Sequence, residues 1–289
     1  MNILTRLKIN GKVLFKCFVS VWGTLSAFAS ILLDFFSWDE LGIQKVTLKI
    51  IIFSGIVILS LIVSASIVLI RNKKSIFGDT DKEIFIQYGD IIELGFDNRR
   101  KDKKIIVIPV NRCFDLSCEN NLISEKSIHG QWLNNYISSE KDRVELHQKI
   151  EQCLSDCNAE YKEIDFMDKK SGYLKRYSSG TIVELNETNG IIFYLWGVSE
   201  FDSNLKANST EFDYFIALQN LIDYYDSHGQ CIDLYCPVFG DHIIRPTRST
   251  EDMLYFMVSL LRINKQKIHG NIHIIVHETK KADVAILKY

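Results

Sequence analysis

Lys104-Ile-Ile-Val-Ile-Pro-Val-Asn-Arg-Cys-Phe-Asp115 is the stretch whose reading decides the fold. Residues 105–110 form a short, largely β-branched apolar run with no polar alternation. Such a run predicts a strand buried on both faces, as in the middle of an α/β sheet. It breaks off at Asn111, and no turn residue sends the chain back as a hairpin would. Open α/β sheets bind ligands where buried strands end in polar loops. Just upstream, residues 83–88 predict a second strand, closed by Gly89-Asp90-Ile91.

Downstream, strand and helix patterns alternate. Residues 138–161 place Leu146, Ile150, Cys153, Leu154, Cys157 and Tyr161 on one helical face, with Ser138 or Ser139 as the cap. Residues 172–180 read as a loop. Residues 181–185 and 191–196 flank Asn189-Gly190, the dipeptide that most strongly predicts a hairpin. Residues 210–225 form an amphipathic helix with Phe212, Phe215, Ile216, Gln219 and Ile222 along one side. A buried strand over residues 230–238 follows. Ser249 then caps a helix to about Ile263 that carries Met253, Phe256, Leu260 and Leu261. Residues 271–276 are the last central strand, and residues 284–287 are expected to pair at an edge. Alternation of this kind predicts an α/β fold, a three-layer α/β/α sandwich.

The N-terminal part follows a different rule. Residues 50–70 are uninterrupted by charge. At a helical rise they span about 31 Å, the thickness of a hydrocarbon core. Residues 17–37 are apolar apart from small hydroxyl residues and Asp34, and follow Arg6, Lys8, Lys12 and Lys16. A basic start also opens a signal peptide, but no small-x-small cleavage site follows Asp34-Phe35-Phe36-Ser37-Trp38. A two-helix transmembrane hairpin is therefore expected over residues 1–77, with spans at about 17–37 and 50–70. Residues 78–289 form the globular domain. Basic residues flank both outer ends of the hairpin, including Arg71, Lys73 and Lys74, which places both termini and the domain in the cytoplasm.

A net charge of −2 argues against bulk electrostatic binding to nucleic acid. Seven cysteines at irregular spacings form no disulfide framework and no Cys-x-x-Cys metal pair, so reduced thiols are expected. The sequence has no His-Glu-x-x-His, no Walker A loop and no Gly-x-Ser-x-Gly. The carboxylate pairs Glu200/Asp202 and Glu211/Asp213 read as a solvated loop edge and a helix N-terminus.

Several residues can contact a ligand at the strand ends. Asp90, directly after a strand-ending glycine, can accept from an exocyclic amine or simply close an Asx turn. The Asn111 amide can donate and accept toward a pair of ribose hydroxyls, or satisfy its own loop. In Ser127-Ile-His-Gly-Gln-Trp132, Ser127, Gly130 and nearby N–H groups can hold phosphate oxygens. His129 can bond a sugar or sit in the core. In Cys236-Pro-Val-Phe-Gly-Asp-His242, Gly240 permits the close approach that a backbone cradle needs. Arg245 can pair with a phosphate or with a surface carboxylate.

The Gly89-Asp-Ile turn, the Val110-Asn111 strand end and the Pro237-x-x-Gly240 loop, in this order, resemble a macro domain, the ADP-ribose-binding fold. Ser127-Ile-His-Gly-Gln131, Ser179-Gly-Thr-Ile-Val-Glu184 and Leu195-Trp-Gly-Val-Ser-Glu-Phe-Asp202, behind two membrane spans, resemble the macro-domain effectors of bacterial Thoeris antiviral defence. The resemblance implies a macro-like α/β/α domain with a mixed sheet. It gives Asp90 and Ile91 the adenine, Asn111 a ribose, and Ser127, His129, Gly130 and Gln131 the diphosphate and distal ribose. The loop from Pro237 to Gly240 cradles the phosphates through its backbone, with Asp241, His242 and Arg245 as further candidate ligand contacts. It implies an ADP-ribose derivative as ligand, an amino-acid conjugate such as histidine-ADP-ribose, made from NAD by a TIR-domain partner. Ligand-induced homo-oligomerisation would then disrupt the lipid bilayer of the bacterial inner membrane. Hydrolytic macro domains continue from the strand into Ala-Ala-Asn and a Gly-rich loop. Here stand Arg112-Cys-Phe-Asp115 and Ser127–Trp132, and Asp241-His242 replaces the usual Gly-Thr-Gly. The resemblance therefore implies a non-enzymatic sensor rather than an ADP-ribosyl hydrolase or a protein-binding scaffold, with no cofactor and no metal.

Overall fold

The protein is described from a computed structural model that covers residues 3–79, 82–97, 102–240 and 249–289. Its chain divides into two units, Met1–Lys74 with Thr279–Tyr289, and Ser75–Glu278.

In the first unit, α1 (Ile3–Ile9) leads into α2 (Gly11–Phe35) and α3 (Val46–Ile70). Both long helices have the length and apolar composition to cross a membrane. Nothing in α2 is buried, and α3 buries only Ser60, Ser64 and Val68. A helix apolar on all sides and covered by little protein needs an apolar surrounding. The serine hydroxyls of α3 bond back to the carbonyls one turn earlier, Ser60 to Ile56 at 2.7 Å and Ser64 to Ser60 at 2.6 Å, which leaves them no unmet polar demand. Arg6 is buried and donates to the Arg71 carbonyl and to Asn72, each at 3.1 Å.

The second unit is built on one mixed sheet. In chain order its strands and helices are β1 (Lys73–Asp79), β2 (Lys82–Gly89), α4 (Ile91–Phe96), β3 (Lys104–Asn111), α5 (Ile128–Tyr136) and α6 (Glu140–Asp156). There follow β4 (Tyr161–Glu163), β5 (Lys175–Tyr177), β6 (Ile182–Asn186), β7 (Ile191–Phe201), β8 (Ala207–Asn208), α7 (Glu211–His228), β9 (Asp233–Pro237), α8 (Thr250–Ile263) and β10 (Ile272–His277). The main sheet runs β1-β2-β10-β9-β3-β7-β6, and β8 pairs with β7. From β2 to β7 the neighbours are parallel, and β6 returns antiparallel across the Asn189-Gly190 turn, where Gly190 takes φ +87°.

Every residue of β3 is buried, because helices lie on both of its faces. Ile106, Ile108 and Val110 join Phe193 and Leu195 of β7 beneath α4, α5 and α6. On the opposite face, Leu218, Leu221 and Tyr225 of α7 and Met257 and Leu261 of α8 meet β9 and β10. The Trp196 ring is fully buried there and donates to the Ala217 carbonyl of α7 at 3.0 Å. The three-layer α/β/α sandwich expected from the alternation is the fold observed.

Several local expectations are corrected. The helix over residues 138–161 is α6, capped by Ser139, and ends at Asp156 because Asn158 adopts φ +48°. Tyr161 therefore lies in β4, paired with β5, inside what read as a loop. The buried stripe of α7 is Tyr214, Ala217, Leu218, Leu221, Ile222 and Tyr225, so Ile222 is buried as expected, whereas Phe212 is 71% exposed and Phe215 is 40% exposed. The aromatic residues misled the periodicity, since a stripe one position away fits the same 3.6-residue period. Positive φ at Gln230 and Cys231 delays β9 to Asp233. Residues 284–287 form no edge strand. Ile286–Lys288 is a 3₁₀ turn of the first unit, with Val284, Ala285 and Ile286 buried. The first apolar helix begins at Gly11, so it takes in Lys12 and Lys16.

The corrected face of α7 sets an expected contrast. Leu218→Ala should cost about 2–5 kcal/mol in denaturant unfolding, and Phe212→Ala should stay within about 0.5 kcal/mol of the parent.

Candidate functional site

All the parallel strands end at one edge, and the ladder opens there. β3 pairs with β7 along its whole length, but with β9 only over Lys104–Ile106. Beyond Ile106 the two strands part, while β9 stays paired with β10 through Pro237. Pro109 lies in this outer half, where β3 has one partner and no two-sided ladder to break. Diverging parallel strands leave a crevice at their C-terminal ends. The residues bordering it are Gly89 and Asp90 after β2, His277 at the end of β10, residues 237–240 after β9, and Asn111 after β3.

Asp90 caps α4. Its Oδ1 accepts from the Ile92 and Glu93 N–H groups at 2.8 and 3.4 Å, so one carboxylate oxygen is committed to the helix. Its Oδ2 lies 3.7 Å from His277 Nε2, and the side chain is 35% exposed. The register that pairs Gly89 with His277 brings these two together across neighbouring strands. Ile91 is buried and opens α4, where first-turn N–H groups have no upstream helical carbonyl.

Asn111 is 2% exposed. Its Oδ1 accepts from the Cys113 and Asp115 N–H groups at 3.0 and 3.4 Å, which fixes the amide orientation. The Nδ2 donor then has no hydrogen-bond partner among the described residues. A buried donor left unpaired costs about 1–3 kcal/mol, which a ligand oxygen would recover.

The turn after Asn111 is fastened from below. The Asp115 carboxylate is fully buried and receives Lys169 Nζ at 2.9 and 3.0 Å and the Tyr173 N–H at 2.6 Å. Lys169, itself fully buried, also donates to the Tyr173 carbonyl at 2.7 Å. Burial raises the Asp115 carboxyl more than the Lys169 charge lowers it. Gly172 carries φ +81°, and a Cβ there would collide with Asp115 Oδ1. Burial also pushes the Cys113 thiol up, so it stays protonated and unreactive.

The segment Ser127–Trp132 forms the start of α5. Ser127 Oγ accepts from Gly130 N–H at 3.0 Å and donates to the Ser124 carbonyl at 2.6 Å. A Cβ on Gly130 would stand 2.2 Å from the Ser124 carbonyl oxygen. Gln131 Nε2 donates to the Lys126 carbonyl at 2.9 Å. His129 is buried and bonded to the Asp115 backbone, and desolvation pushes its pKa down to about 3. These four residues therefore tie the loop together and tie it to the Asn111 turn.

Residues 237–240 close the crevice from the other side. Val238 N–H donates to Ile275 O at 2.9 Å, the Phe239 ring rests against Trp196 and Tyr214, and Gly240 takes φ +106°. Asp241, His242 and Arg245 lie outside the described residues.

Two features were missed from the sequence. One is the Asp115–Lys169 pair, whose partners stand 54 residues apart with no local signal. The other is an ion cluster beside Asn111. Glu200 is not simply a solvated edge: Arg176 reaches it at 3.0 Å and Arg112 at 3.6 Å, and Arg112 also lies 3.7 Å from Asp213. Arg112 Nε further donates to Tyr177 O at 2.8 Å. No group of three or more His, Cys, Asp or Glu side chains suited to a metal occurs among the described residues.

A family model described as Thoeris protein ThsA, Macro domain, matches residues 84–277. The Thoeris protein ThsA of Bacillus amyloliquefaciens (strain Y2) is 26% identical over 188 residues, covering 64% of this chain and 58% of that protein. A solved macrodomain mutant from Oceanobacillus iheyensis matches 76% of this chain and 97% of its own, with 12% identity and a TM-score of 0.43.

Two stability predictions follow from the buried network. Asp115→Ala leaves the Lys169 ammonium buried and unpaired, and should cost about 3–5 kcal/mol in denaturant unfolding. His129 is neutral in both states above its ordinary pKa of 6.5. As the pH falls from there toward about 3, only the unfolded chain takes up that proton. His129 should therefore contribute a loss of about 1.4 kcal/mol per pH unit across this window. His129→Gln should unfold without that increment when urea midpoints are compared between pH 7 and pH 4.

Proposed function

From the premise that this chain belongs to the Thoeris ThsA macro-domain family, we propose that it is a non-catalytic sensor of an ADP-ribose-derived signal in anti-phage defence. The observation that carries the ligand reading is the buried, unpaired Asn111 amide where β3 and β9 part. A ribose hydroxyl or phosphate oxygen there would satisfy it. The N-terminus of α4, with Asp90 and Ile91, would take the adenine edge. Residues 237–240 present backbone to a diphosphate, helped by the conformation of Gly240. Residues 127–131 would border the distal ribose through backbone, since their side chains are largely engaged with the loop. Asp241, His242 and Arg245 complete the proposed contacts.

A binding role suits the residues after Asn111 better than hydrolysis does. Hydrolysis needs a positioned, activated water. Asp115, the carboxylate nearest in sequence, is held by Lys169, and His129 is buried and bonded to backbone. The ligand would be an amino-acid conjugate of ADP-ribose, made from NAD by a TIR-domain partner. Residues 1–77 would anchor the chain in the bacterial inner membrane, with the macro domain from residue 78 in the cytoplasm. Ligand would favour an oligomer through its higher affinity for that state, and the gathered hairpins would breach the bilayer.

The test is calorimetry of the full chain with ADP-ribose and its histidine conjugate, with the ligand recovered for mass spectrometry. Tight binding of intact ligand is expected. Asn111→Asp keeps the acceptor for Cys113 and Asp115 N–H and removes the donor, so it should weaken binding at least about tenfold. Failure of the parent to bind at millimolar ligand, or recovery of cleaved ligand, overturns the reading. Dye-loaded vesicles carrying the chain should leak only when ligand is added.

A further inference from the structure

We infer that the second unit carries a binding site for the headgroup of an anionic phospholipid, at its β1 edge and near the ends of the strands opposite the ligand crevice. A pocket of about 200 Å³ lies there, lined by Phe77, Gly78, Lys82, Ile84, Arg262, Lys265 and Ile268. Three of these residues are cations, three are apolar, and none of the described lining residues is acidic. The Arg262 guanidinium stands over the Phe77 ring at 5.2 Å, which holds the charge beside the pocket without neutralising it. Lys82 and Lys265 enter none of the salt bridges described, unlike neighbouring Lys267, which is held by Asp223 at 2.5 Å. Gly78 lets the chain pass close here, since a Cβ would meet the Lys82 carbonyl oxygen.

This combination of a cationic rim and an apolar floor matches one ligand chemistry. A phosphodiester carries the negative charge, and the glycerol and first acyl carbons offer apolar contact. A free phosphate would use the rim but not the floor formed by Ile84, Ile268 and Phe77. Chain connectivity supports a lipid source. Phe77 follows the end of α3 at Ile70 by seven residues, so whatever the arrangement of the two units it lies within about 25 Å of that helix end. If α3 crosses a bilayer, that distance leaves the pocket within reach of the headgroup layer. The inference rests on the membrane reading of α2 and α3 for its biological setting, but not for its chemistry.

The test uses the full chain in a neutral detergent and reads the modification of Lys82 and Lys265 by an amine-reactive reagent. Lys141, on the exposed side of α6 with its side chain 83% exposed, is the reference. Dioctanoyl phosphatidylglycerol should protect Lys82 and Lys265 several-fold, whereas dioctanoyl phosphatidylcholine and glycerol 3-phosphate should not. In the double variant Arg262→Gln, Lys265→Gln, the lipid concentration that half-protects Lys82 should rise roughly thirtyfold. Equal labelling with the two lipids overturns the proposal. Protection by glycerol 3-phosphate overturns the lipid assignment and leaves a phosphate site. Unchanged half-protection in the variant overturns the role of the cations. Incorporation into sealed vesicles is scored separately by flotation. A chain that fails to float yet is protected by the short-chain lipid refutes the spanning helices and leaves the pocket standing.

Discussion

A strand buried on both faces can carry polar side chains only at its ends. That constraint organises the second unit. β3 sits between β9 and β7 with every residue buried, so its chemistry is postponed to Asn111. The helices that bury it on either side also cover its neighbours, and the polar strand ends collect at one edge. There β9 keeps to β10 while β3 keeps to β7. The crevice is thus a consequence of which ladder each strand follows, and it needs no special loop to create it.

What keeps the crevice in shape lies underneath it. Asp115 and Lys169 form an ion pair with no exposure, and two removed charges are expensive unless their remaining lone pairs and protons are met. Here the Tyr173 N–H donates to Asp115 Oδ1 and its carbonyl accepts from Lys169, and Gly172 supplies the close approach. The same Asp115 gives its N–H to Asn111 and its backbone to His129. One residue therefore fastens the turn after β3, the segment 169–173 and the first turn of α5. The unpaired Nδ2 of Asn111 is a cost the fold accepts beside this network, and it points to a ligand.

The first unit obeys other rules. Its long helices gain little from protein packing, and their serines bond to their own carbonyls. The C-terminal segment belongs to this unit although it follows the last strand of the other. The chain therefore leaves the first unit, builds the sheet, and returns past the strand that borders the crevice.

Local pattern determined much of this by itself. A run of β-branched residues in β3, the Asn189-Gly190 turn, the serine caps of α6 and α8, and two long apolar helices are all short-range statements. Each is dictated by backbone propensity or by the period of one element, so each was legible in the sequence. The positions of Asp90, Asn111 and Gly240 at strand ends were legible for the same reason. Tertiary structure alone decided the rest. The buried face of α7 depends on its partner sheet, since two neighbouring stripes fit one helical period. The fate of residues 284–287 depends on helices more than 250 positions earlier. Asp115 and Lys169 are unremarkable in sequence, and only folding removes both from water and makes each the other's necessary partner. Which donor of Asn111 stays unpaired is likewise set by the turn that consumes its oxygen, a geometry that composition and spacing do not contain.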